Sequence, residues 1–344
     1  MKESVLSVRN LAVAFRLDEG ETQAVRGIDF DLKRGETLAL VGESGCGKSA
    51  TAKAMMGLLP PSAKIVSGEV FCGGRDVLKL SEKDLCALRG SAVSMVFQDP
   101  FSSLNPIVRV GKQLTEAMLI KNPQRKRNGQ PTLTKKQAKE RAIAMMKEVG
   151  IEDAEGRYKS YPFEFSGGMR QRIVIAIALA ADPSVLICDE PTTALDVRVQ
   201  AQILDLIKRL QKERKLSVLF ITHDLGVVAR VADRVAVMYA GKIVEYGKTM
   251  EIFSSAQHPY TWALLASSPS LAKEGRLPAI EGAPPVLTAE IKGDAFAPRN
   301  PYAMKIDCEK QPPFFQVSDT HFAATWLLHP YAPKVEREEK CKDC

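Results

Sequence analysis

Eight consecutive residues, Gly42-Glu43-Ser44-Gly45-Cys46-Gly47-Lys48-Ser49, match the pattern GxxxxGK[ST] in full. They follow a nearly continuous apolar strand at 36–41 and open a helical stretch at 48–59 that Pro60-Pro61 ends. Glycines let a backbone curl until successive amide N–H groups face one anion, and a helix start adds partial positive charge. In this strand–loop–helix context the pattern predicts a nucleotide cradle. Lys48 is expected to reach the β- and γ-phosphates, and Ser49 to place its hydroxyl on Mg²⁺. Glu43, Ser44, Gly45, Cys46, Gly47 and Ala50 are the remaining candidates for phosphate contact.

A second chemical constellation is acidic. Residues 185–188 are apolar and lead into Asp189 and Glu190. A buried strand of this kind delivers its last residue to the carboxyl edge of a parallel sheet, where ligands of open α/β sheets bind. Asp189 fits as a Mg²⁺ partner, direct or one hydrogen bond removed. Glu190, one residue on, points elsewhere and is suited to orient or deprotonate an attacking water. His223 follows the apolar strand 217–221 and is expected on the same rim, donating to the γ-phosphate. Gln98, after the strand 93–97, offers an uncharged acceptor for the metal and a donor for the water.

These residues need a scaffold, and the patterning supplies one. Residues 1–100 read mainly as strands, at 4–9, 11–16, 24–32 and 36–41, with the charged LDEGE as a turn. Helical periodicity appears at 110–120 and 135–149, and 173–181 reads as a buried helix. Strands return at 185–188, 217–221 and 234–238, separated by helices at 198–210 and 225–231. The fold class is α/β, a parallel sheet with crossover connections and a helical subdomain at about 100–180. The expected division is a nucleotide-binding domain at 1–255, a small loop-rich accessory part at 256–335, and a frayed, disordered end at 336–344. Eleven prolines after residue 255 argue against regular helices there.

Bulk properties exclude several classes. The chain has 344 residues and net charge +7, which alone does not imply nucleic acid. The longest apolar stretch, 173–181, is far short of a bilayer span, and the first residues lack the apolar core of a secretory signal. A cytoplasmic location follows, unless a partner holds the chain at a membrane. Seven irregularly spaced cysteines fit a reducing compartment, and the terminal Cys341/Cys344 pair is too few ligands for a zinc site. The basic run 121–127 reads as a solvated surface loop, or else as a patch for anionic lipid headgroups.

One further motif names a family. Phe165-Ser166-Gly167-Gly168-Met169-Arg170-Gln171 resembles the signature loop of ATP-binding-cassette ATPases, LSGGQ in its commonest form, with Phe165 for Leu and Met169 for Gln. The family's order of motifs is found here too: Gly42 to Ser49, Gln98, Ser166 to Gln171, Asp189-Glu190, Ala194-Leu195-Asp196 and His223. The resemblance covers about residues 1–250. It implies a P-loop NTPase fold with a RecA-like parallel core and an antiparallel β subdomain. It also implies a head-to-tail dimer in which Ser166, Gly167, Gly168, Gln171 and Asp196 complete the partner's ATP site, and an adenine stacked on Phe15.

Farther on, Gln257-His258-Pro259-Tyr260-Thr261-Trp262 and the segments 296–304 and 312–321 resemble the carboxyl-terminal extension of oligopeptide and dipeptide importer ATPases. Some of those relatives hold an iron–sulfur cluster on four cysteines. Here Asp294 and Asn300 stand at two of those positions and Ala323-Ala324 near the last, leaving Cys308 alone, so no cluster is expected. The resemblance implies a peripheral subunit on the cytoplasmic side of the cell membrane. Its implied partners are a second ATPase, most simply a paralogue, and two permease subunits, with an extracellular peptide-binding protein acting indirectly. A nickel importer is the alternative cargo system. Cassette proteins of nucleic acid or ribosomes usually carry two cassettes or long coiled-coil insertions, and neither is present. A P-loop phosphotransferase would lack the signature loop.

Overall fold

The computed structural model describes residues 3–18, 20–127, 129–193, 195–268, 280–287 and 291–335. The expected frayed end and the Cys341/Cys344 pair lie outside the described residues, as does Ala194.

The strands form two sheets. The smaller is antiparallel, with β1 (Ser4–Leu17), β2 (Gly20–Lys33), β4 (Ala63–Cys72) and β5 (Arg75–Asp76) in the order β2-β1-β4-β5. The stretches 4–9 and 11–16 are one strand. Asn10 sits between them with φ 43°, in a register shift where β1 bulges against both neighbours. Gly68 on β4 makes room, since a Cβ there would stand 2.5 Å from the Asn10 carbonyl oxygen.

Among the described residues the larger sheet has eight strands. Five run parallel in the order β9-β3-β8-β7-β6: β3 (Thr37–Val41), β6 (Val93–Val96), β7 (Val185–Asp189), β8 (Ser217–Thr222) and β9 (Arg234–Tyr239). Every residue of β3, β7 and β8 is buried, as apolar runs covered on both faces should be. β10 (Lys242–Lys248) turns back antiparallel to β9.

A helical layer fills the gap between β6 and β7. The helices Val110–Leu119, Lys135–Glu148 and Gly167–Leu179 share a core with the crossover helix Val197–Arg214, through Leu114, Met146, Ile173 and Ile203 among others. Thr134 and Gln137 close a capping box at the start of the second. The basic run is corrected here. Asn122–Arg127 is helical, and Lys121 is only 9% exposed. Its ammonium donates to the carbonyls of Cys86, Ala87 and Arg89 at the end of the helix Glu82–Leu88, and so closes that helix's open acceptors.

Past residue 255 a second expectation fails. Pro259–Ser267 is a helix, with Pro259 in its first turn, where the missing N–H has no helical partner to lose. His258 caps it, its Nδ1 accepting the Tyr260 N–H at 3.0 Å. The short strands β11 (Phe315–Gln316) and β12 (Phe322–Ala323) then extend the main sheet beyond β10. Tyr260, Leu264 and Phe296 pack with Val41 and Tyr239 in a third core directly behind the end of β3.

Glu245 on β10 anchors this part. It is fully buried, accepts the N–H groups of Gln257 and His258, and meets His321 Nε2 at 2.8 Å. Glu245→Ala strands those donors in the interior. It is expected to lower unfolding stability by about 3 kcal/mol, read from urea titration of the full chain; a change within about 0.5 kcal/mol would show that the anchor contributes nothing.

Candidate active site

Four parallel strands end on one rim. Gly42 follows β3, Gln98 lies two residues past β6, Glu190 follows β7, and His223 follows β8. Carboxyl ends of neighbouring parallel strands lie side by side, so residues as far apart in sequence as Glu43 and His223 share a cleft there.

The loop between β3 and the helix Lys48–Met55 depends on glycine. Gly47 has φ 105°, and a Cβ on it would lie 2.2 Å from the Ala24 carbonyl oxygen. The loop is therefore pressed against the edge strand β2. Lys48 is 4% exposed, and its Nζ donates to the carbonyls of Gly42 at 2.8 Å and Glu43 at 2.9 Å. The ammonium is folded back onto the loop's own backbone. Cys46 is buried behind the loop, and that burial pushes its thiol up.

Ser49 Oγ donates to Asp189 Oδ1 at 2.9 Å. Burial raises the Asp189 pKa, with the Glu190 charge adding to the rise and the Ser49 hydroxyl opposing it. These are hard oxygen donors of the sort Mg²⁺ takes, and a carboxylate kept from water is one that a cation would satisfy.

Glu190 has φ 47°, a left-handed conformation that non-glycine residues seldom adopt. Its N–H still closes the ladder to the Ile221 carbonyl at 2.9 Å, so the chain leaves β7 abruptly and the carboxylate swings into the cleft. There it accepts from Gln98 Nε2 at 3.1 Å and Thr193 Oγ1 at 3.0 Å, and stands 3.3 Å from His223 Nδ1. Three neighbours on three different segments orient one oxygen pair.

The cleft encloses about 810 Å³. Glu43, Ser44, Gly45, Gly47, Lys48, Ser49, Ala50, Gln98, Glu190 and His223 line it, together with Ala24 of β2. Leu264, Ser267, Ile280 and Pro284, from beyond residue 255, form another wall. Phe15 is not among the lining residues. It is half-buried on β1 opposite Thr22, which borders an adjoining hollow beside Ala24 and residues 43–46.

The signature turn lies elsewhere in this chain. Ser166 caps the helix Gly167–Leu179 by accepting the Met169 N–H, and none of its glycines lines the cleft. Gly168 packs so closely on the start of the helix Val197–Arg214 that a Cβ would meet Val199 Cγ1 at 2.4 Å. Asp196 caps that helix through the Val199 N–H at 2.9 Å. The Gln171 side chain is 1% exposed beneath the turn, with both amide atoms lacking a partner among the described residues.

Sequence reasoning missed Thr193 and every residue past 255 in the cleft. Thr193 had a signal, since it lies three residues after Glu190. The distant wall had none, because the glycine-rich loop it faces is more than 200 residues away. Among the residues weighed for a cluster, Asp294 Oδ1 accepts the Phe296 N–H and Asn300 Oδ1 the Tyr302 N–H, while Cys308 is exposed. No helix among the described residues is long and apolar enough to cross a membrane.

Similarity to known proteins follows the same division. A family described as ABC transporter matches residues 25–193, and one described as the C-terminal region of oligopeptide/dipeptide transporters matches 244–308. The oligopeptide transport ATP-binding protein OppD of Bacillus subtilis is 56% identical, over 98% of this chain and 93% of that one. The dipeptide transport ATP-binding protein DppD of Lactococcus lactis is 53% identical, over 97% of this chain and 94% of that one. Among solved structures, the dimeric ATP-binding cassette MJ0796 bound to ADP and Pi has a TM-score of 0.62 at 25% identity, over 71% of this chain and 98% of that one. CbiO1 of Clostridium perfringens, part of the transporter complex cbiONQ, has a TM-score of 0.61 at 29% identity, over 74% of this chain and 92% of that one.

The Asp189 shift fixes a stability trend. Its proton is held more tightly folded than unfolded, so ionisation costs stability as pH rises from about 4 through the raised value, and the cost persists at neutral pH. Asp189→Asn removes it. The nucleotide-free variant is expected to unfold at a higher temperature than wild type at pH 7.5, with the gap closing near pH 4, by calorimetry. A lower unfolding temperature at pH 7.5 would contradict the account.

Proposed function

The chain belongs to the ATP-binding-cassette transporter family as an ATP-hydrolysing subunit, and from this premise we propose that it couples ATP hydrolysis to uptake of oligopeptides or dipeptides. The cargo reading rests on the names of its relatives and on the shared extension past residue 244. The observation that carries the chemistry is the Glu190 carboxylate, held by Gln98, Thr193 and His223 beside Lys48 and Ser49.

In this reading the ATPase domain is residues 1–255 and the extension is 256–335. ATP lies along the rim with its phosphates over the loop amides. Lys48 leaves the Gly42 and Glu43 carbonyls for the β- and γ-phosphates. Ser49, Asp189 and Gln98 would hold Mg²⁺, which when bound would neutralise charge on the phosphate oxygens. Glu190 takes a proton from the attacking water, and Gln98 and Thr193 keep its carboxylate aimed. His223 releases Glu190 to donate to the γ-phosphate. The base and ribose lie toward Ala24 and the adjoining hollow, with Phe15 at its margin.

The site is half of a larger one. A second ATPase, a paralogue of this chain, supplies its own signature turn, and this chain's Ser166, Gly167 and Gly168 do the same in return, with Asp196 at the contact. ATP binds both faces only when they close, and that differential affinity is what a ligand needs to drive a conformational change. Two permease subunits carry the change across the membrane, with this subunit peripheral on the cytoplasmic side. An extracellular binding protein delivers the peptide.

Two outcomes test this. Glu190→Gln keeps the hydrogen-bonding shape without the base, so kcat for ATP in the assembled transporter should fall by about 10²–10⁴-fold while ATP still binds. Wild-type turnover would remove Glu190 from the mechanism. Lys48→Ala should abolish tight ATP binding, measured by equilibrium titration; undiminished affinity would overturn the loop assignment.

A further inference from the structure

Asp189, Glu190 and Glu43 bring three carboxylates to a cleft whose ligand is itself a polyanion. The first two face metal and water. Glu43 has no such task, yet it lines the cleft beside Ser44, Gly45 and Lys48. An unanswered charge there would oppose every phosphate that enters.

One guanidinium answers it. Arg299 donates from Nη1 to Glu43 Oε2 at 2.7 Å and from Nη2 to Glu43 Oε1 at 3.1 Å, the two-pronged geometry that fixes a carboxylate in place. The Arg299 side chain is 4% exposed and that of Glu43 is 26% exposed, so solvent screens the pair weakly. Its other bonds go to the protein itself. Nε donates to the Glu281 carbonyl at 2.8 Å, and Nη1 also reaches the Tyr239 hydroxyl at 3.2 Å. The Glu43 N–H is engaged too, donating to the Tyr260 hydroxyl at 2.8 Å. Glu43 is thus tied at both ends by residues past 255, and Arg299 has little left to offer a phosphate directly.

We propose that Arg299 is a positioning residue of the nucleotide site, cancelling the Glu43 charge so that the loop can accept a triphosphate, and making the C-terminal extension part of the ATP site within one chain. The proposal rests on the reading of the loop as the phosphate cradle. A purely bracing role predicts something different. Arg299 also holds the segment that carries Ile280 and Pro284, and loss of that wall would weaken nucleotides and nucleosides alike.

The test is ATP, ADP and adenosine binding to the purified full chain at low and high salt. The variants are Arg299→Gln, Glu43→Gln, the double substitution, and Lys48→Ala as a control. Arg299→Gln is expected to weaken ATP on the order of tenfold at low salt, ADP less, and adenosine not at all, with the loss shrinking as salt rises. Adding Glu43→Gln should restore ATP affinity to within about threefold of wild type. Glu43→Gln alone leaves the guanidinium uncompensated and should tighten ATP severalfold. Equal weakening of ATP and adenosine, or a double variant as weak as Arg299→Gln, would overturn the proposal. If Arg299→Gln does not fold, Glu43→Gln alone decides, and weaker ATP binding contradicts the charge account. Should Lys48→Ala bind ATP as wild type does, the loop assignment falls, and this proposal with it.

Discussion

The hydrogen bond from Ser49 Oγ to Asp189 Oδ1 joins the first turn of the loop helix to the last residue of β7. It spans 140 residues of sequence and can form only if β3 and β7 end at the same height. That alignment comes from the ladders of the strand between them, since β8 pairs in parallel with both. Burying the apolar strands therefore aligns the catalytic rim, and Asp189 is carried into a place it would not choose by its own solvation. In the proposed reading, a cation arriving with ATP would offset that cost.

Internal substitutes occupy the groups assigned to phosphate. Lys48 rests on two carbonyls, Ser49 on Asp189, and Glu190 on Gln98, Thr193 and His223. Buried polar groups must be satisfied in the absence of ligand, and here the substitutes are the groups that later act together. In the proposed mechanism ATP binding would be an exchange of partners that changes His223 as well as the loop. Gln98 leads from β6 toward the helical layer, so its bond to Glu190 ties the proposed base to a second part of the fold. On the other flank, Glu43 links the loop to Tyr260 and Arg299.

Much of the site was legible because its chemistry is local. The glycine spacing of the loop, the apolar run ending in Asp189-Glu190, and His223 after its strand each declare themselves within about ten residues. The parallel sheet was legible for the same reason. The remainder depends on partners that periodicity cannot reveal. Lys121 reads as one more exposed base until the end of the helix Glu82–Leu88 is found beneath it. Proline density argued against the helix Pro259–Ser267, although a proline in the first turn favours one. Two-residue strands such as β11 and β12 have no pattern to read. The Arg299–Glu43 pair crosses 256 residues and appears only once both cores are packed.

The central claim is that this cleft is one half of a shared site, closed by a helix start from a second ATPase. It is tested most directly by the structure of the assembled transporter, loaded with ATP and blocked at Glu190. The account places a signature-turn serine within about 3 Å of a γ-phosphate oxygen at each composite site, Ser166 of this chain serving the partner's nucleotide. A nucleotide-loaded complex in which Ser166 and its glycines lie far from any phosphate would contradict it.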